Sequence, residues 1–186
     1  SMTMSRGLAA ALLIVAAPGA PPVDGYPRQP LDVEHYRFAL TLSDSSDRIE
    51  GEATVRLRPN AASLGRVELD LADASPIRGG RGMRVSSVTR DGLPLAFGHA
   101  ADRLAITLDR PVNAGEVVEL VVRYAGIPAD GLQIKPNKYG DRTFFSDDWP
   151  DKAHQWLPTI DHIADKATME MEVVAPAHYQ VISNGA

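Results

Sequence analysis

Apolar residues recur at every second position through most of this chain, and that period commits it to strands rather than helices. In Tyr36-Arg37-Phe38-Ala39-Leu40-Thr41-Leu42 the aromatic and leucine side chains share one face. After a polar turn from Ser43 to Asp47, the segment Ile49 to Leu57 returns with Ala53, Val55 and Leu57 on one face. Glu52, Thr54 and Arg56 take the other, so the two segments predict a hairpin, which Pro59-Asn60 stops. Val67, Leu69 and Leu71 alternate with Glu68 and Asp70, and Leu104, Ile106 and Leu108 repeat the pattern. Gly79-Gly80-Arg81-Gly82 reads as a flexible link. Met83 to Arg90 and Leu93 to Phe97 flank Asp91-Gly92, a tight-turn pair that tolerates positive φ. Asn113-Ala114-Gly115 turns the chain into Val117 to Tyr124, which is apolar on both faces and predicts a central strand covered on both sides. No window carries a helical period with caps. The expected fold is all-β, a curved sandwich of packed, mostly antiparallel sheets.

The 186 residues are enough for one domain with a substantial core, and 44% hydrophobic against 23% charged residues excludes a disordered chain. A net charge of −5 offers no basic footprint, so nucleic acid is excluded as an expected partner. The absence of cysteine excludes disulfides, a thiol nucleophile and thiolate metal ligands.

The N-terminus reads as an export signal. Arg6 supplies the positive charge, and the apolar run Leu8 to Ala17 is too short to span a bilayer before Pro18, Gly19 and Ala20 end it. Residues 1–25 are therefore read as signal peptide and linker, with Ser1 a tag remnant, and 26–186 as the domain. The expected location is periplasmic or secreted, with no membrane span in the mature chain.

The character changes after Gly126. Gly131 to Asp151 has no clear period and reads as a long structured loop with one short strand around Arg142 to Ser146. Ala153, Trp156, Pro158, Asp161, Lys166, Ala167 and Thr168 follow, and then Val181, Ser183, Asn184 and Gly185. Singly, each has an architectural use: Trp156 and Leu157 as core plugs, Pro158 to set a loop, Asn184-Gly185 as a turn. In this order they resemble the end of the N-terminal domain of the aminopeptidase N family of zinc metallopeptidases, whose pattern is A-R-x-W-x-P-C-x-D-x-P-x-x-K-A-T-F and then V-x-S-N-G. Asp32-Val33-Glu34-His35-Tyr36 and Ile49-Glu50-Gly51 are similar to the family's first strands, so the resemblance covers Asp32 to Gly185.

The resemblance implies a saddle-like β-domain, non-catalytic itself, that caps the cleft of an enzyme removing N-terminal residues from peptides. It also implies zinc, held by H-E-x-x-H and a later glutamate in a downstream catalytic domain. None of His35, His99, His154, His162 and His178 begins that motif, and no G-x-M-E-N string occurs, so this portion is expected to be inactive and without metal. Relatives place a glutamine or glutamate just before the tryptophan segment to hold the substrate's α-amino group. Here Asp147, with Asp148 next, takes that position as the candidate substrate-binding pair. The departures are His154 for the family arginine, Thr159 for its cysteine, and His162-Ile163 where a proline is usual. Expected partners are the peptide N-terminus and the downstream domain of the same chain.

Other chemistry finds little support. His154, Asp161, His162 and Asp165 match no regular metal-ligand spacing, no serine lies in a nucleophile elbow, and Gly79 to Gly82 lacks a Walker lysine. Two rival readings remain at this level: a stand-alone β-sandwich binding module, and a scaffold with a catalytically dead aminopeptidase fold.

Overall fold

The computed structural model describes residues 29–43, 45–129, 155–160 and 167–175 with their side chains, and 8–15, 132–136, 142–146 and 180–182 as backbone. Among the described residues thirteen strands carry the fold. The first are β1 (Leu8–Val15), β2 (Leu31–Leu42), β3 (Ile49–Pro59), β4 (Leu64–Asp70) and β5 (Gly82–Arg90). Then come β6 (Leu93–Pro94), β7 (Phe97–Ala100), β8 (Arg103–Val112) and β9 (Val118–Ile127). The last are β10 (Leu132–Pro136), β11 (Arg142–Ser146), β12 (Thr168–Ala175) and β13 (Gln180–Ile182). They form a seven-stranded sheet in the order β1-β12-β2-β3-β9-β5-β6 and two three-stranded sheets, β4-β8-β7 and β10-β11-β13. Only β12 with β2 and β11 with β13 run parallel. The all-β, mostly antiparallel sandwich is the fold that the alternation predicts.

Register turns the period of two into a core. Met169, Tyr36, Val55 and Leu120 make one row across four strands, and Met171, Phe38, Ala53, Val122 and Val88 make the next. These rows face Val67 and Leu69 of β4 and Leu104, Ile106 and Leu108 of β8, all buried in the same cluster. Opposite them, the outer face of the large sheet carries charge pairs such as Arg37–Glu172 and Arg123–Glu52. In the following row Gly51 lies beside Tyr124, and a Cβ there would overlap the tyrosine ring. Among the described residues the Tyr124 hydroxyl has no hydrogen-bond partner, and burial pushes its pKa up.

Four details add to the expectation or differ from it. The apolar run at the N-terminus lies as β1 along β12, from Leu8 opposite Ala175 to Val15 opposite Thr168. Its composition suits a leader and a sheet edge alike. Strand β9 is central, as expected, but buries one face only: Val118, Leu120, Val122 and Tyr124 are inside while Glu119 and Arg123 are exposed. Val121 is the apolar exception outside, set between Thr54 and Thr89. The segment after Asp91-Gly92, whose two residues do take positive φ, pairs with β5 through Leu93 and Pro94, and the Leu95 N–H adds one bond to the Val88 carbonyl. It then crosses to the second sheet as β7.

The fourth difference is the glycine-rich link, which is a built turn. Ser75 caps a short 3-10 segment, Pro76–Arg78, by accepting from the Ile77 N–H. Gly79, Gly80 and Gly82 all have positive φ, a conformation glycine adopts without the Cβ penalty. Arg78 donates through both arms of its guanidinium to Asp102, at 2.8 and 2.6 Å, and to the Asp73 carbonyl at 3.3 Å. The Arg78 hydrogen bonds, assisted by the Asp73 N–H, hold the Asp102 carboxyl well below the usual carboxylate range. A depressed folded pKa contributes stability above the unfolded value of roughly 4, and that stability is lost as pH falls. Asp102→Asn is therefore expected to be less stable than the parent at pH 7 and to lose stability less steeply below pH ~4. Urea titrations at neutral and acid pH check this; parallel losses in the two proteins would exclude the clamp.

Candidate functional site

The tryptophan–proline segment is seated between the two sheets of the sandwich. Trp156 is 3% exposed and Leu157 fully buried, in the same cluster as the strand side chains. Thr159 and Asp70, the last residue of β4, exchange both backbone hydrogen bonds, at 2.6 and 3.1 Å. One residue on, the Ile160 N–H donates to the Tyr36 hydroxyl at 2.9 Å, and that ring stacks on Phe38. The corner is thus tied to β4 on one side and to β2 on the other. Tyr36 and Trp156 serve as architecture, the use their size and apolarity suggest.

Beyond the sandwich, β10 and β11 form a hairpin with Leu132 opposite Ser146, and β13 lies parallel to β11 with Ile182 opposite Phe145. Strand β11 occupies the span Arg142 to Ser146 that the sequence marks; β10 falls within what reads as loop. Because β11 and β13 are parallel, Ser146 and Ile182 close their strands at the same end of the three-stranded sheet. Asp147 and Asp148 follow Ser146 directly and lie outside the described residues, as do His154, Asp161, His162 and Asp165. Among the described residues, no three His, Asp or Glu side chains come together to hold a metal ion. His35 bonds Thr168 Oγ1 at 2.6 Å and lies 3.8 Å from Glu170, while His99 bonds the Leu71 carbonyl at 2.7 Å. Both bridge strands or loops rather than facing an open site.

Residues 32–186 match the Peptidase M1 N-terminal domain family. The chain belongs to the M1 peptidases, as their N-terminal domain. An M1 zinc metallopeptidase from Deinococcus radiodurans matches with 30% identity over 81% of this chain, TM-score 0.63. A mutant two-domain M1 zinc metallopeptidase bound to L-tryptophan matches with 29% identity over 80%, TM-score 0.63. Yeast LTA4 hydrolase, 19% identical over 79% of this chain and 23% of its own, shares the fold at TM-score 0.63. No curated protein matches. The chain spans about a third of the length of the metallopeptidases it matches, 34% and 33%. In this M1 N-terminal domain the buried tryptophan ties the two sheets of the sandwich together, and β11 and β13 run parallel in the small sheet. Among the described residues, none of its histidines belongs to a group of three that could hold a metal ion.

Proposed function

We propose that this chain is the non-catalytic N-terminal domain of an exported zinc aminopeptidase, and that it caps one side of the cleft in which peptides lose their N-terminal residue. The family match across residues 32–186 carries the reading. The parallel run of β11 and β13 supports the finer part: Ser146, which directly precedes Asp147 and Asp148 in sequence, and Ile182 close their strands at the same end of the small sheet. In that position Asp147, with Asp148 next to it, accepts hydrogen bonds from the substrate's α-ammonium and fixes the peptide's end. A carboxylate is suited to this, because charge-assisted bonds are short and strong in a site that excludes water. Zinc, supplied by the downstream domain, provides the hydrolytic chemistry. Among the described residues no helix is long and apolar enough to cross a membrane. The leader-like composition of Leu8 to Ala17 supports export to the periplasm or medium.

The test uses the full-length protein with aminoacyl-anilide substrates. It is expected to cleave substrates with a free amine, to spare N-acetylated ones and to stop when a chelator removes its metal. Asp147→Ala is expected to lower kcat/KM about ten- to hundredfold, the worth of one charged hydrogen bond of about 1.5–3 kcal/mol. Asp148→Ala should have the smaller effect. A full-length protein with no aminopeptidase activity overturns the function; full activity in both variants removes the two aspartates from the site.

A further inference from the structure

Among the described residues three arginines face no carboxylate, and they lie together. Among arginines with described side chains, every one but Arg48, Arg81 and Arg84 faces a carboxylate. Strand register places those three at one end of the large sheet. Ile49 and Met83 both lie opposite Gly126, one on each side of β9, so Arg48 and Arg84 adjoin that row from neighbouring strands. Gly82 lies opposite Ile127, and Arg81 precedes it. Strands about 4.8 Å apart thus bring the three backbones to within roughly 10 Å across β9.

Two exposed apolar side chains share this end, one of them the most exposed among the described residues. Ile127, at the end of β9, is 37% exposed. Ile77 is 98% exposed, at the tip of the turn that runs directly into β5. That turn is rigid: the Ser75 N–H bonds the Arg81 carbonyl, the Gly80 N–H bonds the Ser75 carbonyl, and Arg78 is clamped to Asp102. A turn needing only to reverse the chain would carry a polar residue at its tip. This one holds an isoleucine fixed in water, as a binding anchor is held.

The exit of the chain says what covers it. Leu132 opens β10 soon after Ile127 closes β9, at most about 17 Å of chain away. Leu132 pairs with Ser146, and β13 lies beside β11, so the chain leaves Ile182 two strands from Leu132, near this same end. We infer that the end bearing Ile77, Ile127, Arg48, Arg81 and Arg84 is the seat of the downstream domain of the same protein. An apolar pocket of that domain takes Ile77, and its acidic groups meet the three arginines that face no carboxylate among the described residues. The inference rests on the proposed reading of the chain as one domain of a longer enzyme.

The chain contains no cysteine, so an introduced thiol reports on its own position. In Ile77→Cys, maleimide labelling of the 186-residue chain is expected to run at the rate of a free thiol. In the full-length protein, followed peptide by peptide by mass spectrometry, it should be at least about tenfold slower. Ala62→Cys, in the loop beyond the opposite end of β3, should react alike in both, and Arg81→Cys repeats the test beside Ile77. Equal labelling of the Ile77→Cys variant in the short and full-length proteins overturns the docking surface, and leaves the proposed function standing if the full-length protein still cleaves aminoacyl substrates. Protection in a full-length protein with no peptidase activity upholds the surface while the function fails. Two other outcomes also overturn it: slow labelling of the short chain that quickens on dilution, which marks a second copy, and protection that requires phosphatidylglycerol vesicles, which marks a membrane.

Discussion

Trp156→Ala is expected to destabilise the domain by about 3–5 kcal/mol, the range for truncating a buried tryptophan. At 3% exposure the indole fills space between the sheets, and its removal leaves a cavity that rows of strand side chains cannot collapse into. The damage is also local. Trp156 sits three residues before Thr159, whose paired hydrogen bonds to Asp70 and whose neighbour's bond to Tyr36 tie both sheets to the segment leading into β12. The midpoint of thermal unfolding should fall by roughly 10 °C for a domain of this size. Urea titration should show a lower midpoint at unchanged slope, the mark of lost stability rather than a changed unfolded state. A loss under about 1 kcal/mol would mean that the corner hangs beside the core. In that case the segment's value as a family signature would have nothing to do with packing.

Much of the sandwich was legible because its signal is local. The β2–β3 hairpin follows from alternation over two adjacent runs and a polar turn between them, all within Tyr36 to Leu57. What escaped depends on partners distant in the chain. Strand β10 alternates Leu132 and Ile134 with Gln133 and Lys135 before Pro136 ends it, too brief a pattern to stand without β11 beside it. The outer face of β9 reads as apolar only because Val121 follows Leu120; its setting between two threonines is a fact of register. Glycine content alone does not separate a loose link from a turn that needs positive φ, and the clamp from Arg78 reaches Asp102, 24 residues on. Nothing local announces that pair.

The candidate site was legible in a different way. Trp156 and Leu157 are read as core plugs from size and apolarity, Pro158 as setting the loop, and all three are buried. Recognition came from their order with the residues that follow. The pairing of Asp147 and Asp148 with a substrate amine came from the resemblance alone, and those residues lie outside the described part. The docking end was missed altogether. An exposed isoleucine and three arginines spread over Arg48 to Arg84 carry no motif, and become a patch only when β3 and β5 flank β9.

Gly82→Ala should rank with the tryptophan substitution, at about 3 kcal/mol or more, although it adds a single methyl group. Two penalties coincide at this position. Its φ of 125° lies where a side chain is strained whatever the space, and the added Cβ would overlap the backbone carbonyl of Asp73. A flexible side chain could swing away from such an overlap, but Asp73 is fixed by its own bridge to Met83 and by the Asp102 carboxylate on its N–H. Relief must therefore come from parting β5 from the Asp73 segment, which would loosen the turn presenting Ile77. Gly79 and Gly80 provide the comparison, with positive φ but nothing within 4 Å of a built Cβ. Gly79→Ala and Gly80→Ala should each cost only about 1–2 kcal/mol, the left-handed penalty without the collision. Three equal losses in urea titrations would show that backbone conformation alone decides the series, and that the close approach of Asp73 to Gly82 contributes nothing.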